Sequence, residues 1–163
     1  MNLVASAARG ALAGTIATAA MDALWYRRYR ADGGENDIVT WEFGTEASDF
    51  GEDAPAPARV GKRIAEAVGV QLPASAVAMT NNVVHWMTGI GWGKAAGVVA
   101  GAVGMPALGV GIATGVAAFA TSYAVLGALG IYRPITEYDV ATLWKDLSAH
   151  LVFGATLGAA LTI

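Results

Sequence analysis

Four long apolar segments dominate the pattern of hydrophobic and polar positions. They cover approximately residues 3–26, 79–104, 107–132 and 138–163, and a polar connection, residues 27–77, separates the first two. A helix needs about 20 predominantly apolar residues to cross the hydrocarbon core of a bilayer. The first three segments meet that length, and the apolar part of the fourth, residues 147–163, is slightly short of it at about 25 Å. The pattern therefore predicts a single all-α domain over residues 1–163, a polytopic membrane protein built as a four-transmembrane-helix bundle.

The second and third segments are predicted to form a hairpin. Residues 95–132 contain no Asp, Glu, Lys or Arg. As one helix they would be about 57 Å long, nearly twice the hydrocarbon thickness. Pro106 follows Gly104 and is the natural turning point. A buried hairpin of a soluble protein is the alternative, and the length of the other segments disfavours it.

The polar connection has two parts. The first, ADGGENDIVTWEFGTEASDFGEDAPAPA, is acidic and rich in turn formers, and its Trp41 and Phe43 could anchor it on the bundle. The second, VGKRIAEAVGV, predicts a short amphipathic helix. Its apolar face would consist of Val60, Ile64, Ala65 and Val68. This helix either lies along the membrane surface or forms a lid packed on the bundle.

Composition agrees with a membrane location and excludes several functions. Mean hydropathy is +0.49, and 14% of residues are charged, against about 25% in a typical soluble domain. The sequence has no Cys, which excludes disulfides and zinc–cysteine sites. Net charge is −3 with no basic run, so nucleic acid is not expected as a partner.

A repeated motif, His-x-x-x-Gly-x-x-x-Gly, begins at each of the two histidines, His85 and His150. In the first and third helices the matching stripes place Gly-x-x-x-Gly before Asp22 and Tyr123. The pattern predicts a duplicated helical hairpin, because two spans per unit preserve orientation. Small residues let membrane helices approach closely. The glycines assigned to helix packing are Gly10, Gly14, Gly89, Gly93, Gly111, Gly115, Gly154 and Gly158.

Four polar residues are predicted to form one layer in the cytoplasmic half of the bundle: Asp22, His85, Tyr123 and His150. Each lies about 7–13 Å from the cytoplasmic end of its helix. Asp22 is expected to contact His85, because a lone carboxylate at that depth is costly. The pair could carry a proton, hold a metal weakly or fix helix register. Lys94 is a separate charge near the middle of the second span.

Basic residues predict the orientation. The polar connection carries Arg27, Arg28, Arg30, Arg59, Lys62 and Arg63, and the third connection adds Arg133, with Lys145 just beyond it. By the positive-inside rule the 27–77 connection is cytoplasmic and both termini face outward. The expected location is the inner cell membrane. The first segment lacks a basic region at its start and is interpreted as a retained span rather than a cleaved signal peptide.

Several segments carry a family resemblance: AGTIATAAMD (13–22), APAPARVGKRIAEAVGV, NNVVHWMTGIGWG and SAHLVFGATLG. With these the chain resembles uncharacterised small bacterial inner-membrane proteins, including the YagU-like family. The resemblance covers the helices and the later part of the first connection. It implies four spans without an assigned chemistry.

The leading functional hypothesis is a non-enzymatic membrane protein, either an accessory subunit of a membrane complex or a self-assembling homo-oligomer. No catalytic residue is assigned, because the sequence has no phosphate-binding loop and no His-x-x-x-His pair. One alternative is a small proton, ion or solute channel or transporter that uses the polar layer.

Two further alternatives involve a ligand. The histidines could form a bis-histidine haem or metal site between the second and fourth helices. The leading expectation, however, is that the protein holds no cofactor. A lipid-acting enzyme could use Asp49, Glu52 and Asp53 of the acidic loop to bind a cation. An acidic loop is more commonly just solvated.

Overall fold

The computed structural model describes residues 2–163, and within that range every regular element is helical. This confirms the all-α prediction. Two short 3-10 turns, Ala74–Ala76 and Ile135–Glu137, accompany six α-helices. The α-helices are α1 (Leu3–Ala31), α2 (Ile38–Phe43), α3 (Ala56–Ala67), α4 (Val77–Val103), α5 (Ala107–Ala128) and α6 (Val140–Ala160).

Helix α1 is longer than the predicted segment 3–26. The side chain of Asn2 caps its N-terminus by accepting a hydrogen bond from the Ala5 N–H. The helix continues through its arginines and tyrosines to Ala31, because these residues tolerate a helical backbone as well as an apolar run does. It ends where Gly33 takes a positive φ of 94°.

The last helices differ from the prediction at their ends. Helix α5 ends at Ala128 rather than 132, because Gly130 adopts a φ of 64° and reverses the chain. Helix α6 begins at Val140 rather than near 138, and Asp139 caps it by accepting from the Thr142 N–H at 2.9 Å. Between α4 and α5, Gly104 has a φ of 63°, so the turn forms where it was predicted.

The four long helices pack closely. Helix α1 lies against both α4 and α6, and α5 lies mainly against α6. The shared interior consists mostly of small side chains, with Ala17 and Ala149 fully buried beside Phe153 and Leu157. Many large apolar side chains instead point outward from these helices, for example Leu12, Ile112 and Val116.

Two of the helices, α1 and α5, are long and apolar enough to cross a membrane. Helices α4 and α6 carry more polar residues in their first halves, including Asn82 and His85 in α4 and Lys145 and Asp146 in α6.

The polar connection contains two helices where one was predicted. Helix α3 covers the predicted amphipathic segment, but it packs on α4 through Ala58 and Gly61 rather than through the larger apolar residues. Ile64 and Val68 of the predicted face remain 59% and 73% exposed. The small residues make the contact because a Cβ on Gly61 would already meet Thr80 and Val84 of α4. Helix α2 was not predicted.

Candidate functional site

Asp22 of α1 and His85 of α4 form a polar pair between the two helices. His85 Nε2 lies 2.8 Å from Asp22 Oδ1. The Asp22 side chain is 12% exposed and that of His85 is 31% exposed. The other carboxylate oxygen, Asp22 Oδ2, is buried without a hydrogen-bond partner among residues 2–163. The pair therefore joins two helices while one of its oxygen atoms stays unsatisfied.

Glycines in both helices allow this close approach. A Cβ on Gly14 would lie 2.7 Å from the Gly89 carbonyl oxygen, and one on Gly93 would lie 2.5 Å from Gly14 Cα. A Cβ on Gly10 or Gly97 would likewise meet the backbone of the opposite helix. One turn before Asp22, the Thr18 hydroxyl donates to the Gly14 carbonyl at 2.8 Å and packs against Gly89. Side chains in place of these glycines would push Asp22 away from His85.

Helix α2, which belongs to the polar connection between α1 and α4, closes one side of the site. Asp37 caps α2, and the Thr40 backbone N–H and hydroxyl hold the pKa of its carboxyl below the ordinary value of 3.8. Glu42, at the other end of α2, accepts a hydrogen bond from Trp86 Nε1 at 2.8 Å through its carboxylate. Its backbone carbonyl accepts another from Asn82 Nδ2 at 2.7 Å. Two side chains of α4 thus hold α2 in place.

Glu42, Asn82 and Trp86 were not among the predicted site residues. The Glu42 carboxylate is a second negative charge near His85, beside that of Asp22. The sequence holds one usable signal for this segment, the Asp37-x-x-Thr40 pattern of a helix N-cap. Trp41, predicted as an anchor, packs on Tyr26 and Tyr29 at ring-centroid distances of 5.5 and 6.1 Å.

Tyr123 and His150 occupy a different place, between α5 and α6. His150 Nδ1 lies 3.1 Å from the Asp146 carbonyl oxygen and 3.3 Å from its carboxylate. The His150 ring also meets the edge of Phe119, at a centroid distance of 5.7 Å. The Tyr123 side chain faces the Asp146 carboxylate. The predicted four-residue layer is therefore two separate groups, and no hydrogen bond joins them within residues 2–163.

An aromatic cluster covers this second group at the end of the helices. Tyr123 packs against Tyr132 and Tyr138 at centroid distances of 5.2 and 5.3 Å. Burial, and after it the nearby charge of Asp146, raises the pKa of Tyr132 to about 12. Arg133 lies over the Tyr138 ring, 4.8 Å from its centroid. The cluster closes this end of α5 and α6 with uncharged rings.

The backbone contacts of the two helix pairs follow the same pattern. In α1 and α4, a Cβ on Gly14 would meet the carbonyl oxygen of Gly89. In α5 and α6, a Cβ on Gly115 would meet the carbonyl oxygen of His150. The next contact along also matches, because a Cβ on Gly93 would meet Gly10 O and one on Gly154 would meet Gly111 O, at 2.6 Å.

These contacts correct the predicted match between the two histidines. When the two helix pairs are aligned by these backbone contacts, His150 corresponds to Gly89. Asp146, one turn earlier on α6, then corresponds to His85 on α4. The counterpart of Asp22 facing His85 is therefore Tyr123 facing Asp146. The motif-based register was wrong by one helical turn, because glycines spaced four apart satisfy either alignment.

The two histidines lie on different helices and have different partners. Helix α1 packs on both α4 and α6 and so lies between the helices that carry them. His85 is paired with Asp22, and His150 with Asp146 of its own helix. Within residues 2–163, no three His, Cys, Asp or Glu side chains come together in a metal-binding group. Each histidine is thus paired with a carboxylate rather than with the other histidine.

The remaining predicted residues lie apart from these pairs. Lys94 is exposed on α4, and among the described residues it has no ion pair or hydrogen bond. Asp49 accepts a hydrogen bond from the Gly51 N–H at 2.7 Å, which closes a turn. Glu52 and Asp53 are exposed in the same loop.

The arrangement provides one kind of chemistry, proton exchange between a carboxylate and an imidazole. The Asp22–His85 pair has a donor, an acceptor and a second carboxylate nearby on Glu42. An ionised carboxylate and a protonated imidazole attract one another, and the neutral forms still share a hydrogen bond. Comparison of the chain with family models, with curated proteins and with solved structures gives no match.

Proposed function

We propose that this chain is a four-span integral membrane protein that acts through helix packing rather than catalysis, as an accessory subunit or a self-assembling bundle. The observation that carries the proposal is the distribution of side chains. Glycine and alanine make most of the close contacts between α1, α4, α5 and α6, while many Leu, Ile, Val and Met side chains point outward. A lipid environment favours this distribution, because lipid solvates apolar side chains and small residues let helices approach.

A duplicated helical hairpin accounts for the repeated contacts. The α1–α4 and α5–α6 pairs both run antiparallel, and their glycines meet the opposite backbone in the same order. Two hairpins of this kind place α1 and α5 in the same direction through the membrane, which is the relation expected of a parallel repeat.

The charge distribution supports a cytoplasmic location for two connections, the one between α1 and α4 and the one between α5 and α6. Arg28 of α1 donates to the Lys145 carbonyl oxygen at 2.7 Å, and Arg59 of α3 donates to the Ile131 carbonyl oxygen at 3.0 Å. Residues 32–76 and 129–139 therefore lie at one end of the long helices, and most of the basic residues lie there too. Under the positive-inside rule that end is cytoplasmic, which directs both termini outward in the inner membrane.

The absence of cysteine makes the topology directly testable. Single cysteines are introduced at four exposed positions, Asp49, Met105, Glu137 and Thr162, in an otherwise cysteine-free chain. In intact cells a membrane-impermeant maleimide is expected to label the Met105 and Thr162 variants. It should label the Asp49 and Glu137 variants only after the membrane is permeabilised. Labelling of all four in intact cells, or extraction of the chain by alkaline carbonate, overturns the four-span proposal.

The packing role has its own test. The full chain is purified in mild detergent from its native host, and its mass is measured by light scattering. A stoichiometric partner or a stable homo-oligomer supports the proposal. An isolated monomer that turns over a substrate contradicts it.

A proton or ion transporter is the second candidate, and the buried unpartnered Asp22 Oδ2 favours it. An unsatisfied carboxylate oxygen costs about 1–3 kcal/mol or more, and a bound proton or water would relieve that penalty. The test is flux into pH-loaded liposomes that contain the purified chain. Flux that falls in Asp22→Asn and in His85→Ala, but not in His150→Ala, would support transport. Equal flux in all variants would exclude it.

A further inference from the structure

Lys94 lies near the middle of α4 and has no partner in the described chain. It is about 25 Å from Val77 and about 14 Å from Val103 along the helix axis. Its side chain is exposed and makes no ion pair or hydrogen bond within residues 2–163. Moving a lysine into the centre of a membrane span is costly. An uncompensated charge at this depth therefore calls for a partner.

The face of α4 around Lys94 is open to another helix. Met87, Gly91, Ala95 and Ala102 are exposed on the side of α4 that lies away from α1. A Cβ built on Gly91 would meet nothing within 4 Å, whereas one on Gly93 would meet the α1 backbone. The two glycines thus have opposite surroundings. Small residues beside a charge let a second helix come close enough to pair with it.

We propose that the Lys94 face binds a transmembrane helix of a different protein that carries an Asp or Glu near mid-membrane. This inference rests on the four-span proposal and selects its accessory-subunit form. Charge complementarity identifies the occupant, because a carboxylate in hydrocarbon also needs a partner. The pair compensates both charges at once.

A second copy of this chain does not fit the same face. Its two acidic residues within the long helices away from their ends, Asp22 and Asp146, already contact His85 and His150. The remaining Asp and Glu residues lie in the connections or at their edges. Two copies in the same membrane orientation, related by a two-fold axis through this face, would bring Lys94 against Lys94. The repulsion between them disfavours a symmetric dimer here.

The test uses a defined probe in phosphatidylcholine vesicles. The probe is a Leu/Ala transmembrane peptide of about 20 residues with Glu at its centre, and the comparison peptide has Gln there. The full chain carries a fluorescent donor on a single cysteine, Thr162→Cys, and the peptide carries the acceptor. Energy transfer is titrated for the otherwise unchanged chain and for Lys94→Met, Lys94→Arg and Arg9→Met. Arg9→Met removes an exposed cation near the N-terminal end of α1 and is the matched control.

Association with the Glu peptide is expected to be about tenfold tighter than with the Gln peptide. Lys94→Met should abolish the difference, and Lys94→Arg and Arg9→Met should keep it. Equal association of the two peptides, or the same preference in Lys94→Met, overturns the proposal. The cysteine labelling pattern described above is measured on the same preparation, so a failure of membrane insertion is distinguished from a failure of this interface.

Discussion

His85 Nε2 lies 2.8 Å from Asp22 Oδ1, while the second oxygen of the same carboxylate is buried without a partner in the described part of the chain. The pair joins α1 to α4 at the level where α2 covers both helices. A carboxylate in this position depends on the imidazole, because few other polar groups reach it. Removing the His85 side chain and removing the Asp22 side chain are therefore expected to lower the free energy of unfolding by different amounts.

We expect His85→Ala to lower the free energy of unfolding by about 2 kcal/mol, because it leaves the Asp22 carboxylate buried and unpaired. Asp22→Asn should cost less, since the amide can still bond the imidazole. His150→Ala is the matched control, because its partner Asp146 lies on the same helix. Denaturant unfolding in detergent, followed by circular dichroism, measures the three values. A loss from His150→Ala as large as that from His85→Ala would contradict the assignment.

Two glycines on α4 provide a second, paired prediction. Gly93→Ala should destabilise the chain by about 2 kcal/mol, because the new Cβ would overlap the backbone of α1 at Gly10 and Gly14. Gly91→Ala meets nothing within 4 Å and should be neutral or stabilising by up to about 1 kcal/mol through helix propensity. The thermal unfolding midpoints of both variants test this difference. Equal effects would show that α1 and α4 are not packed as described.

The corrected register predicts the same contrast in the second helix pair. Gly154→Ala should destabilise by a similar amount, because its Cβ would lie 2.6 Å from the Gly111 carbonyl oxygen. Gly109→Ala is the control, since its nearest neighbour would be the flexible end of Met105 at 3.9 Å. A stable Gly154→Ala variant would favour a different alignment of α5 and α6.

Helix α3 is held against the end of α5 by two arginines. Arg59 donates to the Ile131 carbonyl oxygen at 3.0 Å, and Arg63 donates to that of Leu129. Removing both by Arg59→Ala and Arg63→Ala should release α3 and expose residues 44–55 to protease, with cleavage several-fold faster. Lys62→Ala is the control, because among residues 2–163 Lys62 pairs only with Glu66 of the same helix and that pair is 42% exposed on both sides. Equal cleavage in all variants would argue against this docking.

The N-cap of α6 predicts a defined pH dependence. Hydrogen bonds from the Thr142 hydroxyl and backbone N–H hold the pKa of Asp139 below 3.8, so the folded state favours the ionised carboxylate. Its stabilising effect is present above the unfolded pKa and is lost as pH falls through the lowered folded pKa. Asp139→Asn keeps a capping side chain but cannot titrate. Unfolding midpoints measured from about pH 7 to pH 2 should therefore fall less steeply in Asp139→Asn than in the unchanged chain.

The contact between Asp22 and His85 was predictable, and the match between the histidines was not. Helix direction and the 1.5 Å rise per residue placed Asp22 and His85 at similar depth, and the cost of a lone charge favoured their contact. The partner of Tyr123 depended on a shift of four residues along α6. Because Gly154 and Gly158 are both glycine, sequence spacing could not choose between the two registers.

The role of α2 escaped prediction for a different reason. Its helix is only six residues long and lies in a segment with acidic, turn-forming composition. Glu42 is held there by tertiary contacts with Asn82 and Trp86, which are about 40 positions away. No local pattern encodes such contacts. In α3, helix periodicity identifies the large apolar residues, while the contact with α4 is made by Ala58 and Gly61.

The distance in sequence between Asp22 and His85 imposes an order in time. Sixty-three positions separate them. A ribosome adds about 5–20 residues per second, so Asp22 is synthesised about 3–13 s before the residue that pairs with it. If the spans enter the bilayer as they are made, Asp22 must pass this interval beside another polar group, such as one of the insertion machinery. The nascent chain is then most susceptible to cellular quality control in the interval before α4 emerges from the ribosome.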